Sequence, residues 1–116
     1  MPSRPVTVVE VDPFPARAAA VWSDDERHEF INFIAQNPEA GDEIPGTGGV
    51  RKLRRSRKGT GKRGGVRVIY FYYNEGAPIF LLTVYAKAKQ TDLTPEQKRA
   101  VAQFARAIKD LYRARQ

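Results

Sequence analysis

The sequence contains no cysteine, which excludes disulfides and thiolate metal sites and fits a reducing cytoplasm. Its only histidine is His28, between Arg27 and Glu29. That excludes a two-histidine ribonuclease and a histidine metal cluster, and His28 reads as a solvated helix residue. Long apolar runs are absent too. Val6 to Val11, the longest near the N-terminus, is broken by Thr7 and Glu10. It is too short and too polar for a signal sequence or a membrane span, so no membrane association is expected. Acidic residues are missing from one long stretch. Between Ile44 and Asn74 there are nine basic residues and no acidic one: Arg51, Lys52, Arg54, Arg55, Arg57, Lys58, Lys62, Arg63 and Arg67. The lack of paired carboxylates there argues against two-metal nuclease chemistry. No metal and no cofactor is expected.

The chain has 116 residues and 41% hydrophobic content. That suits one globular domain over residues 1–116, with enough core to fold without covalent staples. The net charge is +7, and the basic stretch carries the whole excess. Concentration of one sign in one segment points to a polyanionic partner rather than to solubility alone.

Val6 to Val11 is β-branched and reads as a first strand, ended by Pro13 and Pro15. Ala16 to Trp22 reads as a short helix. Ser23 with Glu26 gives a capping-box signature, and Phe30, Ile31, Phe33 and Ile34 follow at helical spacing until Asn37-Pro38. Residues 38–49 read as a loop. Three strands are expected next: Val50 to Arg57, Gly65 to Tyr73, and Pro78 to Tyr85 after a four- or five-residue hairpin connection. Thr94-Pro95-Glu96-Gln97 opens the last helix, where Val101, Phe104, Ile108 and Leu111 form an apolar stripe. The order β-α-α-β-β-β-α predicts an α+β fold with a mostly antiparallel four-stranded sheet and the helices on one side.

Alternation along the Val50 strand puts Val50, Lys52 and Arg54 on one face and Arg51, Leu53 and Arg55 on the other. Lys52 and Arg54 are the best-placed pair for an open face. A regular strand cannot bury Arg51 and Arg55 beside Leu53, which suggests a short or bent strand. In the next strand Arg67 stands alone among apolar and aromatic residues. Such an arginine either snorkels from an edge or is held rigidly and aimed at a phosphate. Tyr85 and Lys87 share a parity at the end of the last strand, followed by Lys89. Tyr85 is either a rim aromatic or a stacking platform for an RNA base.

Gly59-Thr60-Gly61-Lys62-Arg63-Gly64 matches a dinucleotide-binding pattern, but a strand follows where a helix must begin. It fails as a P-loop because Arg63 follows Lys62 where Ser or Thr is needed. It reads instead as a flexible basic loop whose Lys62 and Arg63 touch phosphates. Any RNA cleavage by this chain would draw its charge stabilisation and proton transfers from lysine, arginine and tyrosine.

Three segments together resemble the RelE/HigB toxin family: Gly46-Thr47-Gly48-Gly49-Val50-Arg51-Lys52-Leu53-Arg54, then Gly61-Lys62-Arg63-Gly64-Gly65-Val66-Arg67-Val68-Ile69-Tyr70-Phe71-Tyr72, then Phe80-Leu81-Leu82-Thr83-Val84-Tyr85-Ala86-Lys87. The loop from Asn37 to Asp42 and Asp92-Leu93-Thr94 before the last helix are similar as well. The resemblance implies a RelE-like fold and a bacterial, cytoplasmic endoribonuclease that cuts messenger RNA on the ribosome through 2′-hydroxyl attack. It implies Lys52, Arg54, Arg67 and Lys87 as catalytic residues. Arg67 and Lys87 would stabilise the phosphate, and Lys52 or Arg54 would transfer a proton, with neighbouring positive charge lowering the pKa of a lysine. Arg51, Lys62, Arg63, Tyr85 and Lys89 would bind RNA. It also implies an antitoxin partner, a helix-turn-helix protein of the HigA kind. Two departures stand out. Ala88-Lys89 replaces a polar-acidic pair, and Tyr112 lies too far along the last helix to match a tyrosine base. Two other functions remain open at this stage: a gyrase-inhibiting toxin of the ParE kind on the same fold, and a non-catalytic RNA- or ribosome-binding module.

Overall fold

The computed structural model describes residues 5–56 and 65–114. The elements are β1 (Val8–Glu10), α1 (Phe14–Val21), α2 (Asp24–Gln36), β2 (Asp42–Glu43), β3 (Val50–Arg55), β4 (Val66–Tyr72), β5 (Ile79–Ala86) and α3 (Pro95–Ala114). The predicted element order holds, with β2 added. The five strands form one sheet in the order β1-β5-β4-β3-β2. β1 runs parallel to β5, and the other pairings are antiparallel. The sheet is therefore five-stranded and mixed, where the sequence led to four. The extra strand comes from Asp42 and Glu43, which pair with Lys52 and Arg51. Two exposed acidic residues carry no apolar alternation by which to recognise a strand.

The helices do not gather on one side. α1 and α2 pack on one face of the sheet, where Phe14, Ala18, Trp22, Phe30 and Ile34 join Val66, Val68, Tyr70, Ile79 and Leu81. α3 covers the other face, where Val101 and Ala105 join Val50, Ile69, Phe71, Phe80 and Leu82. The physical reason lies in β4. Its residues from Val66 to Phe71 are buried at both parities, and a strand apolar on both faces needs a layer on each.

Local chemistry sets the helix starts. Ser23 Oγ accepts from the Glu26 N–H at 3.1 Å, and Glu26 Oε1 accepts from the Ser23 N–H at 2.9 Å. Thr94 and Gln97 repeat that exchange at α3, at 3.1 and 2.9 Å. Arg27 of α2 grips Glu10 of β1 through two hydrogen bonds of 2.8 and 2.6 Å.

The loop from α2 to β2 is tied to the sheet by Tyr70. Its buried hydroxyl accepts from the Gly41 N–H at 2.8 Å and donates to the Pro38 carbonyl at 2.9 Å. Gly41 is needed there, because a Cβ would stand 2.9 Å from both the Lys52 carbonyl oxygen and the Tyr70 ring. Tyr70→Phe leaves a buried donor and acceptor unmatched and should lower unfolding free energy by about 1–3 kcal/mol. Urea denaturation at 25 °C measures this, and a loss below about 0.5 kcal/mol would mean that the loop re-pairs with water.

Candidate RNA-cleavage site

The register across β3, β4 and β5 aligns three of the expected residues. Arg54 lies opposite Arg67, and Arg67 lies opposite Tyr85. Residues opposite one another project from the same face of a sheet, so the three form a row across the central strands. It is the face that α3 covers further along the sheet. Lys52 sits one step along that face on β3, opposite Ile69. Lys87 follows the end of β5, half-buried, with its N–H donating to the Gly65 carbonyl at 3.0 Å. The register thus brings the backbone positions of Arg54, Arg67 and Lys87 to one end of the sheet, with Lys52 one step further along β3.

Arg67 is the centre of this arrangement. It is 5% exposed and is the only charged residue buried among the described residues. Its Nη1 donates to the Val66 carbonyl at 3.4 Å. A buried guanidinium on a central strand is costly, and a fixed fork of donors is what a phosphate group requires. Arg54, by contrast, is exposed.

Lys52 Nζ pairs with Asp92 in the β5–α3 connection at 3.3 Å. Lys52 is therefore held by a carboxylate, where the sequence suggested neighbours of its own sign. Asp92 is the site residue that sequence reasoning did not assign. The available signal was its place just before the Thr94 cap, which swings it back over the sheet. Lys52 holds the Asp92 carboxyl below its ordinary value, chiefly by the hydrogen bond, with burial opposing and the Lys52 charge adding to the fall. A depressed carboxyl stabilises the fold above its unfolded pKa and loses that contribution as pH falls through the folded value. Asp92 is largely exposed, so the contribution is only about 0.2–1 kcal/mol. The melting temperature of wild type should exceed that of Asp92→Asn slightly at pH 7, with the gap closing as the pH drops below about 4. An equal gap at pH 2.5 would show that the ion pair is not its cause.

Tyr85 is 6% exposed, with its ring inside the α3-side core. Its ring faces are not open to a base, so the stacking platform considered from sequence is not available in this structure. The hydroxyl is the informative group. It is buried and has no hydrogen-bond partner among the described residues. Burial raises its pKa, Asp92 adds to the rise, and Arg67 opposes it. At neutral pH it is a protonated donor in want of an acceptor.

The remaining expected RNA contacts are dispersed. Arg51 points to the opposite face, where it donates to the Gly41 carbonyl at 2.6 Å and pairs with Glu43 at 3.5 Å. Lys89 is exposed in the turn after β5. Lys62 and Arg63 lie outside the described residues. Arg55, also on the opposite face, lies over Phe30 and Phe33 of α2, with its guanidinium carbon 5.6 and 4.9 Å from their ring centroids. Among the described residues no cluster of His, Asp or Glu is suited to hold a metal, and no helix is long and apolar enough to cross a membrane.

Comparison with known proteins places this chain in a family. A family model described as the RelE toxin of the RelE/RelB toxin-antitoxin system matches residues 23–115. Among solved structures, the chain is similar to a double arginine mutant of the E. coli toxin RelE in the free state. The TM-score is 0.55 at 13% identity, over 75% of this chain and 88% of that one. At that identity the likeness is one of fold.

Proposed function

The chain belongs to the RelE toxin family, and from that premise we propose that it is an endoribonuclease of the HigB kind, cutting messenger RNA on the ribosome. The observation that carries this reading is Arg67, a buried arginine on a central strand with Arg54 and Tyr85 directly beside it.

The reaction that suits these residues needs no metal. The 2′-hydroxyl oxygen of one nucleotide attacks the adjacent phosphorus. The bond from phosphorus to the 5′-oxygen breaks, leaving a 2′,3′-cyclic phosphate and a free 5′-hydroxyl. One proton leaves the 2′-hydroxyl and one reaches the departing oxygen. Arg67 and Lys87 stabilise the charge that develops on the phosphate oxygens. Lys52 or Arg54 handles a proton. The Tyr85 hydroxyl donates to a phosphate oxygen and so gains the acceptor it lacks in the free protein.

This assigns Tyr85 a testable role. Tyr85→Phe removes only the hydroxyl, whose unmatched burial costs about 1–3 kcal/mol. The variant should melt at or above the wild-type temperature and yet cleave at least about tenfold more slowly. Full activity in Tyr85→Phe would remove the hydroxyl from the mechanism.

An active enzyme of this kind would be held in check by an antitoxin. The basic end of the sheet suits an acidic partner, here a helix-turn-helix protein of the HigA kind. The setting of the reaction is the bacterial cytoplasm. The deciding experiment is an in vitro translation reaction with primer extension of the message. Wild type should produce new 5′ ends only when ribosomes are present. No new ends from folded wild-type protein would overturn the reading and direct attention to a DNA supercoiling assay.

A further inference from the structure

The glycine-rich loop ahead of β3 meets α3 well away from the row described above. Thr47 pins the loop from within. It is 1% exposed, its Oγ1 donates to the Ile44 carbonyl at 2.6 Å, and the same oxygen accepts from the Val50 N–H at 3.1 Å. Gly46 and Gly48 flank it in left-handed conformation, at φ of +80° and +75°. Turns of this hand are the backbone geometry in which successive N–H groups gather round an anion.

Cations stand over this bare backbone. A Cβ on Gly48 would lie 2.8 Å from Lys109 Nζ, and one on Gly46 would lie 3.6 Å from Lys98 Nζ. Arg106 and Arg113 line the same cleft of about 280 Å³ between the loop and α3. One carboxylate, Asp110, also lines it, and it forms no ion pair with these cations among the described residues. Three cations, Arg106, Lys109 and Arg113, thus line the cleft against one carboxylate, and the excess positive charge favours an anion. The glycine motif has no part in the cleavage chemistry, and the cations lie on a helix that sequence reasoning used only for its apolar stripe.

We propose that this cleft is a second phosphate site for RNA, with the loop backbone, Lys109 and Arg106 holding one phosphodiester group. The choice of RNA as the polyanion rests on the ribonuclease reading. The cleft adjoins the start of β3, and Arg54 lies near its other end. The four strand steps from Val50 to Arg54, at about 3.3 Å each, put roughly 13 Å between them. A single phosphate cannot serve both places. The cleft is an anchor for a folded RNA whose other segment, or whose neighbouring strand, reaches the row of Arg54, Arg67 and Tyr85.

The test is fluorescence anisotropy of the full chain with a labelled RNA hairpin, titrated with KCl from about 50 to 200 mM. The double variant R106Q/K109Q should bind about tenfold or more weakly at the low end. The slope of log affinity against log salt should shrink by about 0.7–0.9, as expected for one lost phosphate contact. Lys109→Arg should bind as wild type does. Circular dichroism checks that these surface changes leave the fold intact. Wild-type affinity and slope in R106Q/K109Q would overturn the proposal, and so would intact RNA binding combined with lost antitoxin binding. The enzyme reading fails separately. A weakened R106Q/K109Q alongside wild-type protein that never cleaves would support the phosphate site and reject the ribonuclease.

Discussion

Arg67→Met should cut messenger RNA about 10²- to 10³-fold more slowly than wild type, while the protein stays folded. That magnitude is typical of removing one fixed donor aimed at developing charge. Arg67 is suited to such an effect because β4 lies between β3 and β5 and packs on both faces. Its guanidinium is placed by the sheet, with little freedom to lose when substrate arrives. Methionine keeps much of the volume without the charge, so a lost activity cannot be blamed on a cavity. Arg67→Lys keeps the charge and loses the planar fork, and should fall between the two. Primer extension gives the cleavage rates and thermal melting gives the fold control. Cleavage by Arg67→Met within about threefold of wild type would leave Arg67 a structural oddity and return the chemistry to Lys52 and Lys87.

Phe30→Ala should have the largest effect on stability. Phe30 is fully buried and stacks on Trp22 with ring centroids 5.3 Å apart. It also lies beneath the Arg55 guanidinium. Truncating a buried phenylalanine costs about 3–5 kcal/mol. Domains of this size have only about 5–15 kcal/mol in all. Here one change loosens α2 from the sheet and takes away a platform of Arg55 on β3. The melting temperature should drop by about 10–25 °C. Phe33→Ala serves as the comparison, because Phe33 is only half-buried and offers Arg55 the nearer ring. It should lose less stability than Phe30→Ala. A drop below about 5 °C for Phe30→Ala would mean that the α2-side core repacks around the gap.

The parts of this fold that could be read in the sequence are those whose causes are local. Ser23 with Glu26 and Thr94 with Gln97 form their caps as expected. The apolar runs of β4 and β5 are strands, with ends within a residue of the expected ones. The side of the sheet taken by α3 was harder to read, since it depends on a layer that no short segment encodes. The apolar residues of β4 at both parities carried the signal. Arg51 and Arg55 show the limit most clearly. Alternation placed them on the core side of β3, and a bend seemed necessary. The strand is regular from Val50 to Arg55, and the solution lies in partners far along the chain. The Gly41 carbonyl and Glu43 take Arg51, and Phe30 and Phe33 take Arg55. In the candidate site the strand residues were legible because a period of two fixes their faces. Asp92 and the buried Tyr85 hydroxyl depend on how the β5–α3 connection folds back, which composition does not reveal.

The outer strands cover the sheet unevenly. β2 pairs with β3 only at Arg51 and Lys52, and β1 pairs with β5 only from Ile79 to Leu81. The far half of β3, from Leu53 to Arg55, has no strand on its outer side among the described residues. An uncovered strand edge is a template on which further copies can add. Here that edge carries Arg54 and Arg55, and a second copy approaching in register would bring like charges together. Arg54 of the candidate site and Arg55 on the opposite face thus also disfavour the addition of a second copy along this open edge.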